Sequence, residues 1–268
     1  MISIKSIKAF TYSNSLILFI GFLQYMIPNI VLLPFIILRN FLLTKTIEIF
    51  TQEKELINAN YIYPPGDFQF HIIQASAIEF ITVQCVRFNS NESLITIITF
   101  IPVSFLFEII FDFFHYCLHR GMHLVPNSYH KTHHTYIHLK PHIAFYQDPL
   151  DLLLTNSLPF LLTSNIVSVF YPLSRLEINL IIVYKVFTEI AGHSGHKSFP
   201  TSSFPQCIWI PRMLGIEMYS ENHNLHHLNA HYNFSKRFTL WDKVFGTYCA
   251  VTAPCAPELP APSSAVLR

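Results

Sequence analysis

Histidines separated by three or four residues are the side chains of this sequence best suited to chemistry. Eight of the fifteen histidines fall between residues 112 and 142, where the spacing H-x-x-H-H occurs, and this spacing returns near the carboxyl end. Residues three or four apart lie on one face of a helix, so each such box presents its imidazoles together. The candidate ligands are His119, His123, His130, His133, His134, His193, His196, His223, His226 and His227.

These histidines have the chemistry of metal ligands. A neutral imidazole offers one nitrogen lone pair and suits iron, zinc, copper or nickel. A single histidine is more often a surface residue or a satisfied core residue, but independent surface residues have no reason to repeat H-x-x-H-H. One ion needs three or four ligands, so this set is large enough for two ions. The five cysteines contain no C-x-x-C pair, and a thiolate zinc site is therefore not indicated.

Acidic and aromatic side chains accompany the first box. Asp112 and Tyr116 continue the helix face of His119 toward the amino end, and we expect them to support the ligands from behind. Glu108 and Asp112 also lie near the end of an apolar run. A carboxylate at mid-bilayer costs roughly 2.5 to 3.5 kcal/mol unless it is paired or close to the interface. An interfacial position and support of the histidines are both consistent with this placement.

The composition is that of a membrane protein. Hydrophobic residues make up 51% of the chain and charged residues only 12%, and the mean hydropathy is +0.37. The net charge of +1 argues against a nucleic-acid partner.

Apolar runs at 16–38, 94–114, 150–172 and 176–191 predict membrane-spanning helices. Pro28 and Pro34 interrupt the first run, so two short segments dipping into one leaflet are an alternative. Residues 72–88 are polar enough to favour an interfacial position over a span. The last two runs form a helical hairpin with its tip at 172–175. The sequence thus predicts an all-α integral membrane protein with about four transmembrane helices and a histidine-rich helical cap.

The hairpin brings every histidine box to one membrane face. Basic residues concentrate in the segments on that face, which by the positive-inside rule predicts that it is cytosolic. These residues are Arg120, Lys131, Lys140, Lys197, Arg212, Lys236, Arg237 and Lys243. We expect a membrane anchor and connecting region at 1–93, a catalytic domain at 94–250 and a disordered tail at 251–268.

Five segments of the sequence carry a resemblance to a known family. They are His119-Arg-Gly-Met-His123, His130-Lys-Thr-His-His134, His193-Ser-Gly195, His223-Asn-Leu-His-His227 and Trp241-Asp-Lys-Val-Phe-Gly-Thr247. Over residues 112–247, about half of the chain, the sequence resembles the membrane fatty acid hydroxylase and sterol desaturase family.

The resemblance implies a four-span enzyme of the endoplasmic reticulum membrane with its histidine boxes facing the cytosol. It implies two iron ions, O2, and electrons from NAD(P)H through cytochrome b5 and its reductase. The implied substrate is a lipid, either a sterol or an acyl chain, that is hydroxylated or desaturated.

The sequence departs from the family pattern at two positions that bear on the site. Asp148-Pro149 stands where the family commonly has His-Pro, so Asp148 is a candidate to ligate or to orient a ligand. His196 occupies a position that is often tyrosine or aspartate, and it is either an extra ligand or a surface group.

Three other functions compete with oxygen chemistry. A metal transporter should place ligands within several spans, whereas these histidines fall at span ends. A zinc hydrolase should show a carboxylate base beside its ligands, as in H-E-x-x-H, and the sequence has no such motif. A catalytically inactive relative that binds metal or lipid remains an alternative.

Overall fold

The computed structural model describes residues 3–57, 67–88, 95–125 and 129–251, and within these ranges the chain is helical without a named strand. The helices are α1 (Ile4–Met26), α2 (Asn29–Thr51), α3 (Phe68–Gln84), α4 (Ile95–Leu124), α5 (Pro149–Leu152), α6 (Leu158–Phe170), α7 (Arg175–Gly192), α8 (Trp209–Met213), α9 (Ser220–Leu228) and α10 (Leu240–Val244). A π-helical turn, Leu153–Ser157, joins α5 to α6. Short 3₁₀ turns at Tyr129–Lys131, His133–Thr135 and Pro141–Phe145 carry the chain from α4 to α5.

Four helical segments are long and apolar enough to cross a membrane, which confirms the predicted class and number. They are Ile4–Met26, Asn29–Thr51, Ile95–Leu124 and Pro149–Phe170. Each has 22 residues or more, and at about 1.5 Å per residue this exceeds the roughly 30 Å of a bilayer's hydrocarbon core.

The amino-terminal run differs from its prediction. A single span at 16–38 was wrong, because α1 ends at Met26 and α2 begins at Asn29. Ile27 and Pro28 between them are extended, as expected where proline excludes the helical conformation from the residue before it. Pro34 lies inside α2 without ending it. The two helices form a hairpin of full-length segments rather than two short segments in one leaflet.

The predicted span at 176–191 is a helix, α7, but it is not one of the four membrane-capable segments. Arg175, Glu177, Lys185 and Glu189 give it too much charge for its 18 residues. The predicted break before it is present, and Ser174 and Glu177 form a reciprocal cap at its first turn. Eleven of its residues are buried, and it packs against α1, α2 and α4. α7 is therefore the covered central helix of the bundle.

The bundle has two distinct ends. The carbonyl of Ile27 accepts a hydrogen bond from Arg175 at 3.5 Å, which places the α1–α2 turn beside the start of α7. α7 then runs back, antiparallel to α1, and ends at His193. We call the end that carries the histidines the histidine end.

α3 packs along α2 and is not among the membrane-capable segments. Arg39 of α2 forms an ion pair with Glu79, and Asn40 donates to Ser76 at 2.9 Å. Of the predicted disordered tail, all but Val251 lies outside the described residues.

α1 approaches α7 closely at Gly21. A Cβ atom added there would lie 2.6 Å from Cδ2 and 3.2 Å from Cα of Leu180, so the side chain of Leu180 and the backbone of α7 would both have to shift. We expect Gly21→Val to destabilise the protein by about 1 to 3 kcal/mol through overpacking. Thermal unfolding of the purified protein in detergent measures this.

Gly121→Val is the matched control, because a Cβ atom at Gly121 meets nothing within 4 Å. An equal loss of melting temperature in both variants would contradict the packing of α1 on α7.

Candidate metal centre

The histidine end gathers imidazoles from four parts of the chain. The last turns of α4 carry His119 and His123, and the following 3₁₀ turns carry His130, His133 and His134. His193 caps the carboxyl end of α7. His223, His226 and His227 lie on α9. Each box has the local spacing that the sequence indicated, and the antiparallel path of α7 brings the boxes into contact.

Nine of these histidines form two groups whose candidate ligand atoms lie within 4.8 Å of one another. The first group is His119, His123, His130, His134 and His226, and the second is His133, His193, His223 and His227. Either group could hold one ion, and the H-x-x-H-H boxes contribute to both. His133 and His134 lie on the same short turn, but their side chains point to different groups, so one box supplies ligands to both.

In the first group the Nε2 atoms face one another. The distance is 2.8 Å from His119 to His130, 3.1 Å from His119 to His226, and 3.2 Å from His119 to His123. The opposite ring nitrogens have acceptors behind them. His119 Nδ1 lies 2.8 Å from the carbonyl of Phe234 and His226 Nδ1 lies 2.7 Å from that of Tyr232.

The second group has the same construction. His193 Nε2 lies 3.2 Å from that of His133 and 2.9 Å from that of His223. Carbonyl oxygens again lie behind the rings, with Glu189 at 2.8 Å from His193 Nδ1 and Tyr136 at 3.1 Å from His227 Nδ1. The buried Nε2 atom of His227 has no hydrogen-bond partner in the described part of the chain.

These contacts fix where the protons are. A carbonyl oxygen only accepts, so the Nδ1 atom facing it must carry the hydrogen, and Nε2 is left as a lone pair. Two lone pairs at 2.8 to 3.1 Å, as between His119 and His130 or His226, cannot bond to each other. Two nitrogens each about 2.1 Å from one ion, at a right angle, are about 3.0 Å apart. The spacing therefore fits metal ligation.

Burial keeps the imidazoles in the form that metals bind. It lowers the pKa of His226 to about 3, with His123 as a second, electrostatic cause. Burial also lowers the pKa values of His133, His223 and His227 well below the usual range, and neighbouring histidines lower them further. Neutral imidazole is the ligating form.

Comparison with known proteins agrees with this geometry. The family model described as fatty acid hydroxylase matches residues 104–247, which include both histidine groups. The chain belongs to the fatty acid hydroxylase family. No solved structure is significantly similar to it.

Curated relatives match over the same half of the chain. The fatty acid hydroxylase vlmA of a Lecanicillium species is 33% identical over 156 residues, which are 54% of this chain and 41% of that protein. Human lathosterol oxidase is 33% identical over 149 residues, or 54% of this chain and 44% of that protein. A probable Delta(7)-sterol 5(6)-desaturase of Neurospora crassa is 29% identical over 53% of this chain and 37% of its own length. The match spans less than half the length of these relatives.

His196 is the predicted ligand that lies outside both groups. Its Nδ1 atom lies 2.9 Å from the carbonyl of Ser194, and its backbone forms an isolated bridge with Leu56. Gly195, at φ 74°, turns the chain away after His193. Of the two explanations that the sequence left open, the geometry favours a group that is not a ligand.

The carboxylate behind the ligands is Asp151 rather than Asp148. Asp148 caps α5 by accepting from the backbone N–H of Leu150 at 2.9 Å, and it contacts no histidine of either group. Asp151, fully buried, has both carboxylate oxygens 2.9 Å from His130 Nδ1. The sequence signal for this role was an acidic residue at the start of an apolar run.

Asp112 and Tyr116 support the site indirectly. Asp112 accepts hydrogen bonds from the backbone N–H groups of Lys236, Arg237 and Phe238 at 2.6 to 3.1 Å. Tyr116 shares a 2.9 Å hydrogen bond with Thr247. Neither contact involves a histidine; both fasten the carboxyl-terminal segment to α4.

That segment carries the carbonyl groups that orient two ligands. Asp242 accepts from the backbone N–H of Phe234 at 2.8 Å and of Ser235 at 2.9 Å. Thr247 donates to the same carboxylate at 2.7 Å. Asp112 and Asp242 thus hold residues 232–238 from two sides, and this fixes the carbonyl oxygens behind His119 and His226.

A buried charge network borders the second group. Lys185 contacts Glu108 at 2.9 Å, Arg237 contacts Glu108 at 3.3 Å, and Lys236 contacts Glu189 at 2.9 Å. Glu108 is fully buried, so pairing within the bundle, rather than exposure at the membrane interface, compensates its charge. The network positions Glu189, whose carbonyl accepts from His193.

Asp151 and Asp148 provide a direct test of the ligand support. Asp151→Asn removes the charge behind His130, and loss of such a partner typically costs 10- to 100-fold in metal affinity or activity. We expect weaker metal retention during dialysis against a chelator, measured by elemental analysis.

Asp148→Asn is the control, because asparagine also caps helices and Asp148 contacts no ligand. Comparable metal loss in the two variants would contradict the role given to Asp151.

Proposed function

We propose that this protein is a membrane di-iron oxygenase that hydroxylates or desaturates a lipid. The observation that carries the proposal is the convergence of Nε2 lone pairs in two separate histidine groups. A donor set made only of neutral imidazoles, with carbonyl and carboxylate groups behind the rings, suits iron. Two ions bound there would supply the redox chemistry that attacks an unactivated C–H bond with O2.

The residues of this chain have three tasks in that reaction. The nine grouped histidines hold the ions, and the carbonyl groups of Phe234, Tyr232 and Glu189 aim three of the rings. The surrounding helices exclude water, since most of the grouped histidines are buried. A cavity beside His193 and His223, with mostly apolar walls, accommodates the lipid.

Hydroxylation converts C–H to C–OH, and consumes one O2, two electrons and two protons with release of one water. We propose NAD(P)H as the electron source, through cytochrome b5 and its reductase. The resemblance of the boxes to the family supports this route, and the relatives named as a fatty acid hydroxylase and a lathosterol oxidase support a lipid as the substrate. We also propose that the protein lies in the endoplasmic reticulum membrane with the histidine end in the cytosol, as the family resemblance and the basic residues of that end suggest.

A histidine-rich metal transporter is the less favoured alternative. A transporter needs ligands distributed along several spans, whereas the grouped histidines lie at helix ends and in short turns at one end of the bundle. A catalytically inactive relative that binds metal or lipid differs from the enzyme only in turnover, which the experiments below measure.

The metal content of purified protein tests the proposal. We expect two metal ions per chain, iron in the active form, by elemental analysis. One ion or none in active protein would overturn the two-group assignment.

Single ligand substitutions extend that test. His119→Ala or His226→Ala in the first group, and His133→Ala in the second, should each abolish lipid oxidation without preventing membrane insertion. His196→Ala is the matched control and should retain activity, because His196 lies outside both groups. Milder losses are expected for His138→Ala and His142→Ala. Full activity in any of the three ligand variants would remove that group from the mechanism.

Glycosylation mapping tests the orientation. An acceptor site in a lengthened loop at Ser174, which lies at the end of the bundle away from the histidines, should be modified in the lumen. An acceptor at Lys197, four residues beyond His193, should not be modified. Glycosylation at Lys197 would overturn both the orientation and the cytosolic electron route.

A further inference from the structure

The cavity beside the second histidine group runs from that group along α1. Its volume is about 620 Å³, and its walls include the face of α1 from Ala9 to Phe19. At about 1.5 Å per residue this wall is about 15 Å long. Three lining residues, Tyr12, Phe19 and Phe50, are 68%, 64% and 68% exposed on the outside of the bundle, where lipid would surround it. One wall of the cavity is therefore formed by side chains that also face the surroundings of the bundle.

The polar lining lies at the histidine end of this cavity. His193, His223, Ser198 and Lys54 line it there, and the apolar side chains of α1 continue away from them. The second histidine group and the polar wall are thus at the same end of the cavity. An amphiphile with its polar end against that wall would hold a carbon next to its polar end close to the second histidine group.

Lys54 is the cation of this lining that has no carboxylate within salt-bridge distance among the described residues. Its Nζ atom donates to the carbonyl of Ser198 at 3.3 Å. Lys236 and Arg237, by contrast, are paired with Glu189. An ammonium group has three hydrogens, and a partly buried one is stabilised by an anion. Burial lowers the pKa of Lys54, with Glu221 opposing that shift.

Backbone contacts fix the position of Lys54. The N–H of Lys197 donates to Glu55, and the N–H of Ile57 donates to Gly195, both at 2.9 Å. Ser198, which accepts from Lys54, donates through its backbone N–H to Glu221 of α9 at 3.2 Å. The segment that carries Lys54 is therefore tied to the elements that carry the second histidine group.

We propose that Lys54 is a positioning residue that binds the carboxylate of a long-chain acid, with the chain lying along α1 and the oxidised carbon close to the carboxylate. A carboxylate matches one ammonium in charge, whereas a phosphate carries up to two charges and usually requires more cations. This inference rests on the proposed function.

Binding of palmitate to the purified full-length protein tests the inference without turnover. We expect Lys54→Met to raise the Kd for radiolabelled palmitate about tenfold, as for loss of one charge-assisted hydrogen bond. Lys54→Arg should restore binding, and the Kd for methyl palmitate should be the same in wild type and in both variants. Lys45→Met is the control, because Lys45 is 74% exposed and does not line the cavity.

The iron-loaded enzyme supplies the second readout. With palmitate we expect Lys54→Met to raise KM about tenfold with little change in kcat, and mass spectrometry to place the new oxygen or double bond near the carboxylate. Unchanged palmitate binding in Lys54→Met, or oxidation near the methyl end, would overturn the inference. If the wild type oxidises a neutral sterol and Lys54→Met does so equally well, the inference fails while the proposed oxygenase function stands.

Discussion

The structure depends on imidazole rings that are held by their Nδ1 atoms. In the first group a main-chain carbonyl or Asp151 accepts from Nδ1 of His119, His130 and His226, so their Nε2 lone pairs point inward with no proton to share. Without a cation between them, these nitrogens would be buried acceptors at contact distance, which is costly. The folded bundle is therefore arranged for ions, and the carbonyl groups behind the rings are part of that arrangement.

Those carbonyl groups belong to a loop that has little regular structure of its own. This loop, residues 232–238, follows α9 and turns at Asn233, which has a positive φ of 57°. Asp112 of α4 and Asp242 hold it by accepting hydrogen bonds from its backbone N–H groups. The carboxylates pay part of their desolvation through several N–H donors each. Asp242 thus acts on the metal centre indirectly, by fixing the main chain whose carbonyl groups orient His119 and His226.

The sequence alone predicts the family, the helical class and ten candidate ligand histidines, nine of which lie in the two groups. Local spacing determines those features. It could not distinguish Asp151 from Asp148 as the carboxylate behind His130, because the choice depends on which of the two the π-helical turn and α5 direct toward that ring. Nor could hydropathy separate α1 from α2 correctly, since residues on both sides of Pro28 are equally apolar and only the proline marks the break.

The central position of α7 explains why its sequence is the most charged of the long apolar segments. It is covered by α1, α2 and α4, so its charged side chains meet protein partners instead of lipid: Lys185 pairs with Glu108 of α4, and Glu189 pairs with Lys236 of the loop after α9. Such pairs add little net stability but are costly to break. Arg237 contacts both Glu108 of α4 and Glu189 of α7, and Glu189 lies one turn before His193. A helix wholly apolar at these positions would leave Lys236 without its carboxylate partner and Arg237 with Glu108 alone. Both residues belong to the loop that orients His119 and His226, so the charges of α7 help to hold that loop in place.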